Sequence, residues 1–309
     1  MLAEMAHERS AYIAISDVTS GEVLLQASLP EGDVYAYVEG WSPDSSAVVF
    51  ASMREGCQRC PFSHLLIVDV IPPDYPVQTH LYTFPEEQSN LVFRWSPQGK
   101  WLTVWRDWRS VLILDRDASP VAEFRPARCG LEEHLVSDVQ VADDGTLYLI
   151  TIPSISGPGD EQSHWVEEVL VVQGEELDRC RTLYRSSDSI ALVAVGPDGR
   201  FVLLDEGDFG ALSPTSLHLV DVGRGEVVET FDIPGPVATV SSHGQWTALC
   251  VDRPFPEEGK LLVFDWQRHK MEDYGVVWGL VGWRDNVDGF LIAKKSEEGA
   301  GVHFEVMRP

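Results

Sequence analysis

Basic residues are scarce in this chain: 23 Lys and Arg stand against 49 Asp and Glu, a formal net charge of −26 with the nine histidines neutral. So acidic a surface repels phosphate backbones and anionic headgroups, which excludes general nucleic-acid or membrane-surface binding as expected roles. Long apolar runs are missing too. None approaches the roughly 18–20 residues that a membrane-spanning helix needs. The opening Met1–Ser10 has no basic segment leading into an apolar one, so it does not read as a signal peptide. Taken as a complete chain, the sequence is expected to be soluble and cytoplasmic. Cysteine is sparse and odd in number, five in 309 residues, which does not make a disulfide framework. Catalytic signatures are also absent: there is no G-x-S-x-G elbow, no G-x-x-x-x-G-K-[ST] loop and no H-E-x-x-H. Asp285-Asn-Val-Asp-Gly289 and Asp143-Asp-Gly145 lack the alternating oxygens and distal Glu of a calcium loop, and read as hairpin turns. The sequence predicts a protein that is not an enzyme.

What is present is apolar content enough for a large core, 44%, and a repeat. Six times a β-rich run, a tight polar turn and a second apolar run follow one another. The copies are Val34–Phe50, Leu91–Trp105, Val139–Ile150, Leu192–Leu204, Ala238–Leu249 and Leu280–Ile292. Their turns begin at positions 44, 98, 144, 198, 243 and 288, spaced by 54, 46, 54, 45 and 45 residues. A period of about 49 residues is that of propeller blades, and the chain length divided by it gives about 6.3. Six blades therefore fit better than seven, and residues 1–309 read as a single domain rather than the two that length alone suggests.

Each hairpin is followed by an apolar strand that usually ends in Asp: Leu65–Asp69, Val111–Asp115, Leu217–Asp221 and Leu261–Asp265. An Asp there can hydrogen-bond the backbone of the following turn, so these carboxylates are expected to be turn formers. Tyr12–Asp17 has the same form but no hairpin before it. The C-terminal segment has a hairpin and one further strand at Val302–Val306. The two termini are thus expected to share one blade, closing an all-β ring with one strand left at an edge or outside it. Trp41-Ser-Pro-Asp44, Trp95-Ser-Pro-Gln-Gly99 and Pro197-Asp-Gly199 resemble the bacterial WD40-like repeats of the TolB and dipeptidyl-peptidase propellers. That resemblance implies a β-propeller and no particular chemistry. The Gly-His … Trp-Asp signature of typical WD40 proteins is absent.

In a four-stranded blade, loops joining second to third strands share a face with loops joining one blade to the next. Here those loops are long: Ser52–His64, Arg106–Ser110, Ile152–Trp165, Asp205–Ser216, Asp252–Lys260 and Lys294–Gly301. Irregular loops on a rigid scaffold are where binding residues gather, so this face is the expected functional surface. Arg54, Arg59, Arg106, Trp108 and Arg109 fall in two adjacent loops, and Arg and Trp are enriched among interface hot spots. Opposite them, Asp205, Glu206, Asp208, Glu257, Glu258, Glu297 and Glu298 suggest a face polarised across its diameter. The alternative is that the arginines pair with local carboxylates. Cys57, Cys60, Cys129 and His134 could form a tetrahedral zinc site, with His64 as a substitute ligand; Cys57 and Cys60 could instead form a reversible disulfide. Cys250 reads as core, and Cys180, in an expected strand Leu177–Leu183, carries no further signal. The leading expectation is a propeller scaffold or subunit that binds protein partners in a larger assembly. A separated gating propeller of a serine hydrolase system and a pore-centred metal-dependent hydrolase are the alternatives.

Overall fold

The computed structural model describes residues 2–6, 12–16, 22–54, 62–70, 78–88, 91–106, 108–153, 166–174, 177–209, 214–251, 259–284, 289–295 and 302–309. These hold 26 strands and one turn of 3-10 helix at Pro126–Cys129. The first sheet has three strands: β1 (Leu2–Ala6), β2 (Tyr12–Ser16) and β3 (Val23–Ser28). Five four-stranded sheets follow. The first is β4 (Asp33–Trp41), β5 (Ala47–Arg54), β6 (Phe62–Asp69) and β7 (Thr79–Gln88). The next is β8 (Val92–Trp95), β9 (Trp101–Arg106), β10 (Ser110–Asp115) and β11 (Pro120–Phe124), then β12 (His134–Val141), β13 (Leu147–Pro153), β14 (Glu167–Gln173) and β15 (Arg179–Ser186). The last two are β16 (Ser189–Val195), β17 (Phe201–Gly207), β18 (Thr215–Asp221) and β19 (Glu226–Ile233), and β20 (Val237–His243), β21 (Trp246–Val251), β22 (Gly259–Asp265) and β23 (Lys270–Val277). A second three-stranded sheet, β24 (Gly279–Arg284), β25 (Gly289–Lys295) and β26 (Val302–Met307), ends the chain. The architecture is the expected β-propeller. No helix among the described residues is long and apolar enough to cross a membrane.

The strand sequences follow from their place in a blade. Second and third strands are covered on both faces by neighbouring sheets and are mostly apolar, as in Ala47–Met53 and His64–Val68, where every residue is buried and only Ser52 and His64 are polar. Fourth strands lie on the rim and are mostly exposed, as in Glu226–Asp232. The core is accordingly a series of inter-blade seams. Tyr148, Ile150, Val169 and Val171 of one blade, for instance, meet Leu192, Val202, Leu204 and Val220 of the next.

The repeated turn motif stitches blades together. Ser42 Oγ accepts from Ala47 N at 2.9 Å, and Asp44 accepts from Ser46 N at 3.1 Å. In the next copy Ser96 Oγ accepts from Trp101 N at 3.0 Å and donates to Asp143 Oδ1 of the following blade at 2.5 Å. Asp143 also takes Gln98 N at 3.1 Å. Gly99 is required twice over: its φ is +73°, and a Cβ there would come within 3.3 Å of Pro43 Cδ in the preceding blade's turn. The Asp residues that end third strands form turns as expected. Asp115 Oδ1 accepts from Asp117 N and Ser119 N, at 3.0 and 2.8 Å, and Asp265 Oδ1 from Gln267 N at 2.8 Å.

The two terminal sheets pack on β20–β23 and on β4–β7, and their strands do not merge into the single expected sheet. β24–β26 packs on the first neighbour through Trp283, Phe290 and Ile292, and β2–β3 on the second through Ile13, Ile15, Leu25 and Ala27. The reason lies in the pairing. β26 takes the third place beside β25, while β1, a strand the sequence does not announce, pairs with β2 from Leu2↔Ser16 to Ala6↔Tyr12. Both edges that would have joined are occupied. Only β24 of the terminal strands is described on the channel wall, which β4, β8, β12, β16 and β20 complete as six inner strands.

Candidate interaction face and central channel

Second strands β5 and β9 end on the same side of the ring, which brings Arg54 and the β9–β10 turn to one face. Arg54 and Arg109 are exposed there. Trp108 is 47% exposed although its position is fixed: it sits at φ +57°, its ring lies edge-on to Trp105 at 4.7 Å, and its carbonyl accepts from Val136 N at 2.7 Å. Arg106 departs from the expectation. Its side chain is 11% exposed and pairs with Glu123 at 2.9 Å, so the local-carboxylate alternative holds for this residue. Arg59 lies outside the described residues.

The acidic side of the face is less acidic than the sequence suggests. Asp205 is buried, accepts from Val237 N at 2.8 Å, and burial pushes its carboxyl up. Glu206 is enclosed by Tyr184 OH at 2.5 Å, His218 Nε2 at 2.7 Å and the Ser186 hydroxyl. Burial raises its carboxyl, and hydrogen bonds from Ser186, Tyr184 and His218 outweigh that, leaving it below the usual range. Both carboxylates act between blades. Asp208 is exposed, while Glu257, Glu258, Glu297 and Glu298 lie outside the described residues.

One ligand of the expected zinc set is corrected. Cys129 is joined to Cys180 in a disulfide, with Cα atoms 5.7 Å apart, so its sulfur is not a free thiolate for a Cys57/Cys60/Cys129/His134 set. The segment after β11 passes through the 3-10 helix and lays Cys129 against β15, the outermost strand of the following blade. Cys180, given no role from sequence, is the residue it meets. No group of three or more metal-ligating side chains occurs among the described residues. Cys57 and Cys60 lie outside them. Cys250 is buried core, as expected.

His64, the substitute ligand, belongs to a buried cluster with no sequence signature. Its Nδ1 lies 2.7 Å from Asp33 Oδ2, Ser52 Oγ donates to the same oxygen at 2.5 Å, and Ser63 Oγ donates to Oδ1 at 3.0 Å. These are the residue types of a nucleophilic triad in the wrong order. A nucleophile's hydroxyl must reach the imidazole nitrogen turned away from the carboxylate, whereas both serines here spend their hydrogens on Asp33. The cluster is a clamp across β4, β5 and β6.

The inner strands enclose a channel with a cavity of about 680 Å³. Five of the six inner strands carry a one-residue bulge near it, at Glu39, Ser137, Val193, Ala238 and Val281. Bulges bend a strand and re-aim a side chain, which suits strands curved around a pore. Arg94 crosses three blades: its Nη2 lies 3.1 Å from Asp138 Oδ1 and its Nη1 donates to Leu192 O at 2.8 Å. Burial pushes the Glu39 carboxyl up to about 7. With the folded-state value above the ordinary 4.5, the folded protein holds this proton more tightly than the unfolded chain. The contribution favours folding below the ordinary value and is lost as pH rises through about 7. Glu39→Gln, which cannot ionise, is therefore expected to gain stability over the wild type between about pH 5 and about pH 8. Denaturant unfolding at the two pH values checks this; a difference that does not change with pH would contradict it.

No protein-family model matches the chain, and no curated protein matches it in sequence. Solved structures do resemble it. The β-propeller domain of the trilobed protease from Pyrococcus furiosus, described as having an open velcro topology, aligns over 98% of this chain and 88% of its own at 12% identity, with a TM-score of 0.57. The dihydro-heme d1 dehydrogenase NirN aligns over 96% of this chain at 15% identity and TM-score 0.54, this chain spanning 59% of that one. Saccharomyces cerevisiae Sqt1 aligns over 97% and 79% at 10% identity and TM-score 0.51. At these identities the likeness is one of fold.

Proposed function

We propose that this propeller is a partner-binding scaffold, a non-enzymatic subunit that engages another protein through the face carrying Arg54, Trp108 and Arg109. The observation that carries this reading is Trp108. A large aromatic ring held half in solvent by a left-handed backbone, a ring contact and a hydrogen bond is pre-organised, and so loses little freedom on binding. Arg109 beside it supplies directed hydrogen bonds for an acidic or mixed surface. Arg106 supports the turn from within. Arg59 is assigned by sequence alone to the loop that follows Arg54. The Cys129–Cys180 bond favours an oxidising compartment over the cytoplasm.

The test compares Trp108→Ala/Arg109→Glu with Gln98→Arg, on the opposite, tight-turn face. A stoichiometric partner recovered from native extract by the wild type should be lost with the first variant and kept with the second. Loss of a central aromatic anchor commonly costs about 2–4 kcal/mol, enough to abolish recovery. Equal recovery by both variants would move the interface elsewhere. If the recovered partner is a hydrolase, the gating alternative gains the support that the fold likeness to a protease propeller cannot give.

A further inference from the structure

We propose that the central channel is a binding site for a small organic cation, its ammonium group paired with Glu39 and its apolar body against the aromatic wall formed by Trp41 and Phe93. Nothing in the partner-binding reading requires this site. The cavity, about 680 Å³, lies within the range that accommodates small-molecule ligands. Its wall combines those rings with neutral donors and acceptors, among them Gln140, Ser241 and Thr239. Aromatic faces together with a carboxylate are the surroundings that favour an organic cation over an anion or a neutral molecule.

The charges in the channel point the same way. Among the described residues, two ionisable side chains line the cavity, Glu39 and Arg94. Arg94 is already committed, with Asp138 on one terminal nitrogen and the Leu192 carbonyl on the other. Asp138 is buried and turned to that guanidinium and to the amides of Val139 and Leu192. His243, outside the cavity lining, stacks flat on Trp283 at 4.3 Å. Glu39 is different. It is the extra residue of the β4 bulge, the one charged residue among the five bulge positions, and it lines the cavity. Desolvation of its carboxyl is the state that a bound ammonium would relieve. A net charge of −26 raises the concentration of cations around the ring in general.

The probes are 2-phenylethylammonium, the isosteric neutral 2-phenylethanol and the anion phenylacetate, followed by calorimetry and by tryptophan fluorescence. The ammonium is expected to saturate one site per chain, at least about tenfold more tightly than the alcohol, a difference of about 1.4 kcal/mol, with no saturable binding of phenylacetate. Glu39→Gln should lose at least that tenfold preference while keeping the wild-type near-ultraviolet circular dichroism. Asp117→Asn makes the same change in net charge at an exposed carboxylate and should bind as the wild type does. Absence of saturable ammonium binding, equal binding of phenylacetate, or an unchanged affinity in Glu39→Gln would each overturn the proposal. Equal losses in the two charge variants would do so too, because they would show attraction to the acidic surface rather than a site.

Discussion

Asp33→Ala is expected to destabilise the protein by about 3–5 kcal/mol, a large share of a typical folding free energy. The carboxylate side chain is fully buried and receives His64, Ser52 and Ser63 at 2.7, 2.5 and 3.0 Å. Removing it leaves two hydroxyls and an imidazole without their acceptor in a place water does not reach, and each orphaned group costs about 1–3 kcal/mol. Asp33→Asn keeps one acceptor oxygen and should lose less. Asp117→Ala, at a side chain 75% exposed, should stay within about 0.5 kcal/mol of the wild type. Equilibrium denaturation of the three variants checks the order. A loss below about 1 kcal/mol for Asp33→Ala would show that the cluster does not hold β4, β5 and β6 together.

Opening the Cys129–Cys180 bond is expected to cost about 4 kcal/mol. The two residues are 51 apart in sequence, and a cross-link closing a loop of that length removes about that much conformational freedom from the unfolded chain. The native state adds local consequences, since both cysteines pack with Leu131 and Leu177 against the seam between β8–β11 and β12–β15. Cys129→Ser/Cys180→Ser should show the lower stability without reductant, and the wild type should match it only with reductant present. A peptide map under non-reducing conditions should recover residues 129 and 180 in one linked fragment. Free thiols at both positions in the native protein would contradict the assignment, as would a variant as stable as the oxidised wild type.

The ring was legible in the sequence because its signals are local and repeated. The Ser-Pro-(Asp/Gln) turns, the apolar strands ending in Asp and the spacing of about 49 residues each report a short segment, and each reappears in the structure. What failed to show is what joins segments far apart. Asp33 and His64 lie 31 residues apart with no motif between them, and nothing in the chain marks Cys180 as the partner of Cys129. Arg106 reads from its loop position as a surface residue. The structure turns it inward onto Glu123, a contact that depends on how β11 runs beside β10. Glu39 looks like one more surface carboxylate until the bulge in β4 places it at the channel. The pairing of the terminal strands stayed open in the sequence for a related reason: strand count shows that pieces are left over, but not which edge each one takes.

The account centres on the claim that partners dock on the face carrying Trp108. Its most direct test places a photo-activatable side chain at position 108, and separately at position 98 on the tight-turn face, and irradiates each protein in native extract. The account predicts a discrete cross-linked species from position 108 that is absent from position 98 and is suppressed by Arg109→Glu. Cross-links from position 98 alone, or a species from position 108 unaffected by Arg109→Glu, would contradict it.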